Sequence, residues 1–238
     1  MMAGDIVFVS ASVPYRPLWT DDAKPVEIEE AIVSIARAVF ARKGRLLFGG
    51  HPSVSPLIAS IAGEYFPADP ERRHRPVITF QSEYFRGHLP DETWQLFRMG
   101  WSSIQWTPAV PGADGTSDQP KSLKLMREWM LLGPSTPPEV IEAHGLRPPK
   151  AMLAVGGMEG VADEAGMFLS HRIKWRISPA PPIYAITSGG GAARRLAASN
   201  SAVLGLEQAW REKHPNALDD SVLLEPYAAM TQWLMDMI

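Results

Sequence analysis

Three stretches of this sequence close a short apolar run with glycines and then open a helix: "FGGHPSVSP" (48–56), "VGGMEGVADE" (155–164) and "TSGGGAARRL" (187–196). Glycine lets backbone N–H groups approach a ligand closely, and a helix N-terminus favours an anion. Gly49, Gly50 and Ser53, Gly156, Gly157, Met158, Glu159 and Gly160, and Ser188, Gly189 and Gly190 are therefore candidates to cradle a phosphate-bearing ligand. A fourth turn of small residues, "VSASVP" (9–14), adds the hydroxyls of Ser10 and Ser12. One glycine pair can simply permit a tight turn; three such loops after strands argue for an anionic ligand. His51 either reaches a phosphate or packs beside Pro52. Glu164 falls in the first turns of a helix. There it either hydrogen-bonds ribose or assists displacement at an anomeric carbon, or, with Asp163, merely favours the helix dipole. Arg194 and Arg195 offer bidentate phosphate contacts, one of the two facing solvent.

Loops act together only if the elements between them bring them to one edge. "DIVFVS" (5–10), "RLLFGG" (45–50), "PVITFQ" (76–81), "SSIQWT" (102–107), "AMLAVGG" (151–157) and "PIYAITSGGG" (182–191) are strand candidates, short apolar runs bounded by turn residues. Helical patterns separate them, among them 25–42, with Ile28, Ile32, Ile35 and Val39 on one face, a stretch with Trp94, Leu96 and Phe97, and 122–132. Ser55-Pro56 reads as an N-cap followed by proline at the first helical position. The expected fold is α/β, a Rossmann-like doubly wound, mainly parallel sheet with helices on both faces, in one domain over 1–238. In such a sheet every strand-to-helix loop lies at the carboxyl edge, and ligands bind in the crevice at the topological switch point. The turn-rich segment 108–120 reads as a long loop that serves as a lid or binding loop. Tyr227, Met230, Leu234 and Met237 form a helical stripe, either packed on the core or offered to a partner.

With 45% hydrophobic and 21% charged residues the composition is that of an ordinary globular protein, and the net charge of −3 gives no reason to expect nucleic acid. The basic "ERRHRP" (71–76) reads as a solvated loop. There is no cysteine, hence no disulfide and no thiol chemistry. The opening "MMAGDIVFVSAS" lacks the basic and long apolar regions of a secretory signal, and no apolar run approaches the roughly 20 residues that span a bilayer. The expectation is a cytoplasmic protein with no membrane contact. The sequence has no P-loop, GxGxxG fingerprint, HExxH or GxSxG elbow, so no metal or cofactor is expected. Trp94, Trp101, Trp106 and Trp129 read as core or pocket-wall residues, with Trp106 a candidate for base stacking.

In order along the chain, "FVSASVP", "LFGGHPSVSPLI", "SLKLMREWML", "GGMEGVADE" and "ITSGGGAARRL" resemble the SLOG superfamily. That group joins Rossmann-like proteins related to the DNA-processing protein Smf/DprA and to the LONELY GUY cytokinin-activating enzymes. The set is most similar to a prokaryotic branch found beside TIR and other nucleotide-signalling defence components. The resemblance implies a nucleotide pocket at the carboxyl edge of the sheet. LONELY GUY enzymes are phosphoribohydrolases with a PGGxGTxxE motif and an upstream arginine. Matched here, Gly156, Gly157 and Gly160 take the glycine places, Glu164 the catalytic glutamate and Arg127 the arginine. Val155 stands for the proline, one extra residue separates the glycines, and Val161 replaces the threonine, removing a hydroxyl that contacts phosphate. These departures weaken hydrolysis more than binding.

The leading expectation is a module that binds a nucleotide-derived small molecule, within a bacterial conflict system. The alternatives are an N-glycosidase acting on a nucleotide or NAD-like substrate, with Glu164 and Arg127 catalytic, and an interaction protein with a vestigial pocket. By resemblance alone, a homodimer and TIR-type effector partners are expected.

Overall fold

The chain alternates strands and helices almost throughout, and in the computed structural model these assemble around one seven-stranded sheet; residues 1–69, 71, 75–215 and 226–238 are described. The elements run β1 (Ile6–Ser12), α1 (Pro17–Thr20), α2 (Pro25–Ala41), β2 (Arg45–Phe48), α3 (Ser55–Tyr65), β3 (Val77–Ser82), a 3-10 helix (Glu83–His88), α4 (Asp91–Arg98) and β4 (Ser102–Thr107). They continue with α5 (Gln119–Met130), α6 (Pro138–His144), β5 (Ala151–Gly156), α7 (Glu159–Arg172), β6 (Ile183–Ile186), α8 (Gly191–Ser199), β7 (Val203–Gly205), α9 (Leu206–Lys213) and α10 (Tyr227–Met237).

The strand order is β4-β3-β2-β1-β5-β6-β7, and every pairing is parallel. This is the expected doubly wound α/β architecture. The chain builds outward from β1 to β4, crosses back, and builds outward again from β5, so the switch point lies between β1 and β5. Both faces are covered, because alternate residues of the strands enter opposite cores. Val7, Val9, Leu153 and Val155 pack with α2, α3 and α10, whereas Phe8, Met152 and Ala154 pack with α5, α7 and α8.

The six expected strands all form, five of them within two residues of their expected ends; the sixth stops at Ile186, where the chain turns toward α8, and β7 is an addition. Two expectations are corrected, and one open alternative is resolved. Ser55 is the first residue of α3, not its cap; Val54 holds the cap position, and Ser55 Oγ instead accepts from Thr93 Oγ1 at 2.7 Å, tying α3 to α4. The segment 108–118 is no open loop. A bridge between Pro111 and Ser117 and the bond from Asp118 N to Val110 O fold it into a small hairpin, after which Asp118 caps α5 through Lys121 N at 3.0 Å. The C-terminal stripe belongs to the core in its greater part. Tyr227, Met230 and Leu234 are buried in the α2 face, and only Met237 is exposed. Of the basic segment 71–76, Arg72, Arg73 and His74 lie outside the described residues. Among the described residues no helix is long and apolar enough to cross a membrane.

Candidate functional site

A cavity of about 650 Å³ opens at the carboxyl ends of β1, β2 and β3, beside the switch point. Its floor is ionic. Ser10, at the end of β1, donates to Glu164 Oε2 at 2.5 Å, and Arg127 of α5 donates through Nε to Glu164 Oε1 at 3.3 Å. Arg127 also holds Asp163 at 3.0 Å. The side chains of Arg127 and Glu164 are only 14% and 13% exposed, so this pair sits mostly out of water. Burial pushes the Glu164 carboxyl above the ordinary range, and the Arg127 guanidinium and the Ser10 hydroxyl pull against it. Gly160 makes the arrangement possible: a Cβ there would stand 2.7 Å from an Arg127 terminal nitrogen.

The β2 turn forms the opposite wall. Gly50 has φ +64°, and an added Cβ would meet Gln81 and Thr79 within 3 Å. Gln81 Nε2 donates to the carbonyls of Gly49 and Gly50, at 2.7 and 3.2 Å, which fixes the glycine pair on the end of β3. His51 and Ser53 close on one another and on the β1 loop. Ser53 N donates to His51 Nδ1 at 3.2 Å, the hydroxyl stands 2.9 Å from the same nitrogen, and Val13 N donates to the hydroxyl oxygen at 3.1 Å. Burial holds the His51 pKa below the ordinary value.

Of the residues expected from the sequence, the structure gathers Ser12, Gly49, Gly50, His51, Ser53, Met158, Gly160, Arg127 and Glu164 on the cavity wall, with Ser10 behind Glu164. Gly156, Gly157, Glu159, Ser188, Gly189, Gly190 and Arg194 stand off it, each for a visible reason. Gly156 and Gly157 take φ of +56° and +83° to turn the chain, and Gly157 N donates to Ser12 O at 2.8 Å. Glu159 leaves the helix start to pair with Arg16 at 2.9 Å. The β6 turn is already filled by a carboxylate. Glu207, 1% exposed, accepts from Thr187 N, Ser188 N and both hydroxyls at 2.7–3.1 Å. Gly189 and Gly190 pack on Ile28 and Asp22, and Arg194 donates to the carbonyls of Thr187 and Ser188. Arg195, the other half of that pair, lies over Trp19 and donates to Leu18 O.

Sequence reasoning missed Gln81, Tyr15, Arg16 and the cover from Phe85 to Pro90. Gln81 carried a usable signal, since it ends a strand at the same sheet edge. The cover carried none: it is a 3-10 turn without periodicity, and it lines the cavity where no residue of the 108–118 segment does. Trp106 lies away from the cavity, 6.0 Å from Trp94 and under the Arg86 guanidinium.

The X-ray structure of TM1055, a Northeast Structural Genomics Consortium target, is similar to this chain with a TM-score of 0.48 and 13% identity, covering 89% of this chain and 99% of that one. No curated protein matches the sequence. The SLOG cluster3 family model matches residues 18–209, from within α1 to within α9, and so takes in strands β2 to β7 and most of the cavity wall. The chain therefore belongs to the SLOG cluster3 family.

Proposed function

We propose that this protein binds a nucleotide-derived small molecule in the cavity beside the β1–β5 switch point. The observation that carries the reading is the meeting, in one 650 Å³ space, of the β2 glycine turn, the α7 helix start and the buried Ser10–Glu164–Arg127 group. The volume is that of an ordinary small-molecule site. The lining joins the polar groups of the β2 turn and Arg127 to the apolar side chains of Leu123, Met126, Met158 and Val161, which suits a molecule that carries both a phosphate and an apolar ring.

Binding is favoured over hydrolysis because both Glu164 oxygens are already engaged, one by Ser10 and one by Arg127. N-glycosidase action is the second reading, supported by the burial of that same carboxylate beside an arginine. Under it Glu164 stabilises oxocarbenium-like charge and Arg127 holds the substrate. A role in bacterial defence signalling, with TIR-type partners and a homodimeric state in the cytoplasm, extends the proposal by family resemblance.

A thermal-shift series with AMP, ADP-ribose, NAD and cyclic AMP, each mixture then separated by HPLC, tests the reading. Ligand at about 100 times its Kd adds about 2.7 kcal/mol, which raises the midpoint by roughly 5–10 °C for a chain of this size. A shift with intact ligand supports binding. Release of free base or nicotinamide, abolished in Glu164→Gln, replaces it with the glycosidase. No shift from any of the four overturns the nucleotide reading.

A further inference from the structure

The cations of the cavity wall are already committed: Arg16 to Glu159, and Arg127 to Asp163 and Glu164. His51 differs. Its Nδ1 accepts from Ser53 N at 3.2 Å, and a nitrogen that accepts from a backbone N–H cannot itself carry a proton. The Ser53 hydroxyl reinforces this, because it accepts from Val13 N and so turns its own hydrogen toward Nδ1, 2.9 Å away. The proton of a neutral imidazole therefore resides on Nε2. That nitrogen has no hydrogen-bond partner among the described residues, on a side chain that lines the cavity. Burial lowers the His51 pKa, which agrees with the neutral ring but is not needed for the geometric argument.

We infer that His51 is a specificity-determining donor: its neutral Nε2–H, fixed by Val13 and Ser53, hydrogen-bonds a phosphoryl oxygen of the bound nucleotide. The inference rests on the nucleotide reading and adds the group that selects an acceptor and rejects a donor at this point. The β1 loop and the β2 turn are thereby coupled, since Val13 N–H sets the hydroxyl, the hydroxyl sets the ring, and the ring meets the ligand. A neutral donor binds without taking up a proton. The other charged or titratable groups on the cavity wall are Tyr15, Arg16, His88, Arg127 and Glu164, so any pH dependence is read as a difference between variants.

The test uses full-length wild type, His51→Ala and His51→Gln, whose amide nitrogen takes the place of Nε2. Titration against AMP, ADP-ribose, NAD and cyclic AMP at pH 6, 7 and 8 is combined with ¹⁵N NMR of the imidazole rings. The expected result is an Nε2–H tautomer, a Kd weakened roughly 10- to 100-fold in His51→Ala and restored to within about threefold in His51→Gln. Wild type and His51→Gln are expected to share one pH profile. Wild-type binding that His51→Ala leaves unchanged overturns this inference and spares the nucleotide reading. Binding that tightens on acidification in wild type but not in His51→Gln also overturns it, in favour of an imidazolium. If wild type binds none of the four, the nucleotide reading falls and this inference with it.

Discussion

Gly160 sets the position of Arg127 by having no side chain. It lies in the first turn of α7, where alanine is the better helix former by roughly 0.5–1 kcal/mol. Yet a methyl group there would come within 2.7 Å of the Arg127 guanidinium and push it off Glu164. Gly160→Ala is therefore expected to keep or slightly raise the thermal midpoint while weakening nucleotide binding about tenfold. Denaturation scans beside ligand titrations separate the two effects. A parallel loss of stability and affinity would mean that Gly160 serves the fold alone. Because burial already raises the Glu164 carboxyl, moving Arg127 away removes its main counterweight and raises it further.

Among the elements, the β6 turn shows how a phosphate-like loop can be satisfied from within. Glu207 at the start of α9 delivers its carboxylate to two backbone N–H groups and two hydroxyls. Glu207→Ala leaves the two N–H groups and the Thr187 hydroxyl without an acceptor, while the Ser188 hydroxyl keeps Tyr227, at a cost of about 2–4 kcal/mol, and the midpoint is expected to drop by roughly 5–15 °C. An unchanged midpoint would show that water replaces the carboxylate without penalty. No spacing in the sequence distinguishes "TSGGG" from "FGGHP", since what separates them is a glutamate brought in by tertiary packing. The strands were legible because each is a short apolar run between turn residues, and with parallel pairing they fix the sheet edge on which the site lies. Glu164 and Gly160 were legible as members of a helix start. Arg16 and the 83–90 segment were not, because their roles depend on which strands neighbour one another, whereas Gln81 stood at a readable place, the end of a strand on the same edge. The Ser55 cap failed for a related reason: Thr93, from α4, takes the hydroxyl that local sequence assigns to the helix end.

At the scale of the whole molecule a net charge of −3 generates little self-repulsion at neutral pH, so acid behaviour is governed by particular buried groups. His144 is the clearest. It joins α6 to the outer strand β4 through Ser103 Oγ at 2.7 Å and Gln105 Oε1 at 2.8 Å. Burial, with Arg75 and Arg45 nearby, brings its pKa down from 6.5 to about 4. The unfolded chain thus takes up this proton before the folded one, and stability declines as pH falls through that interval, by up to about 3 kcal/mol from this group. His51, also lowered, adds in the same direction. Urea denaturation at pH 7, 6, 5 and 4 checks the slope. His144→Gln, which removes the titrating group, is expected to flatten it, and an unaltered slope would assign the acid sensitivity elsewhere. One consequence of the strand order concerns synthesis. Strands β1 to β4 pair between near neighbours in sequence, but β1 meets β5 only when Val7 finds Ala151. Until the ribosome has released β5, the half-made sheet presents β1 as a bare edge, with its backbone donors and acceptors open to any passing strand. The switch-point crevice beside the cavity is closed only by this long-range pairing, so aggregation of the nascent chain and loss of the site share one cause: a delayed arrival of β5.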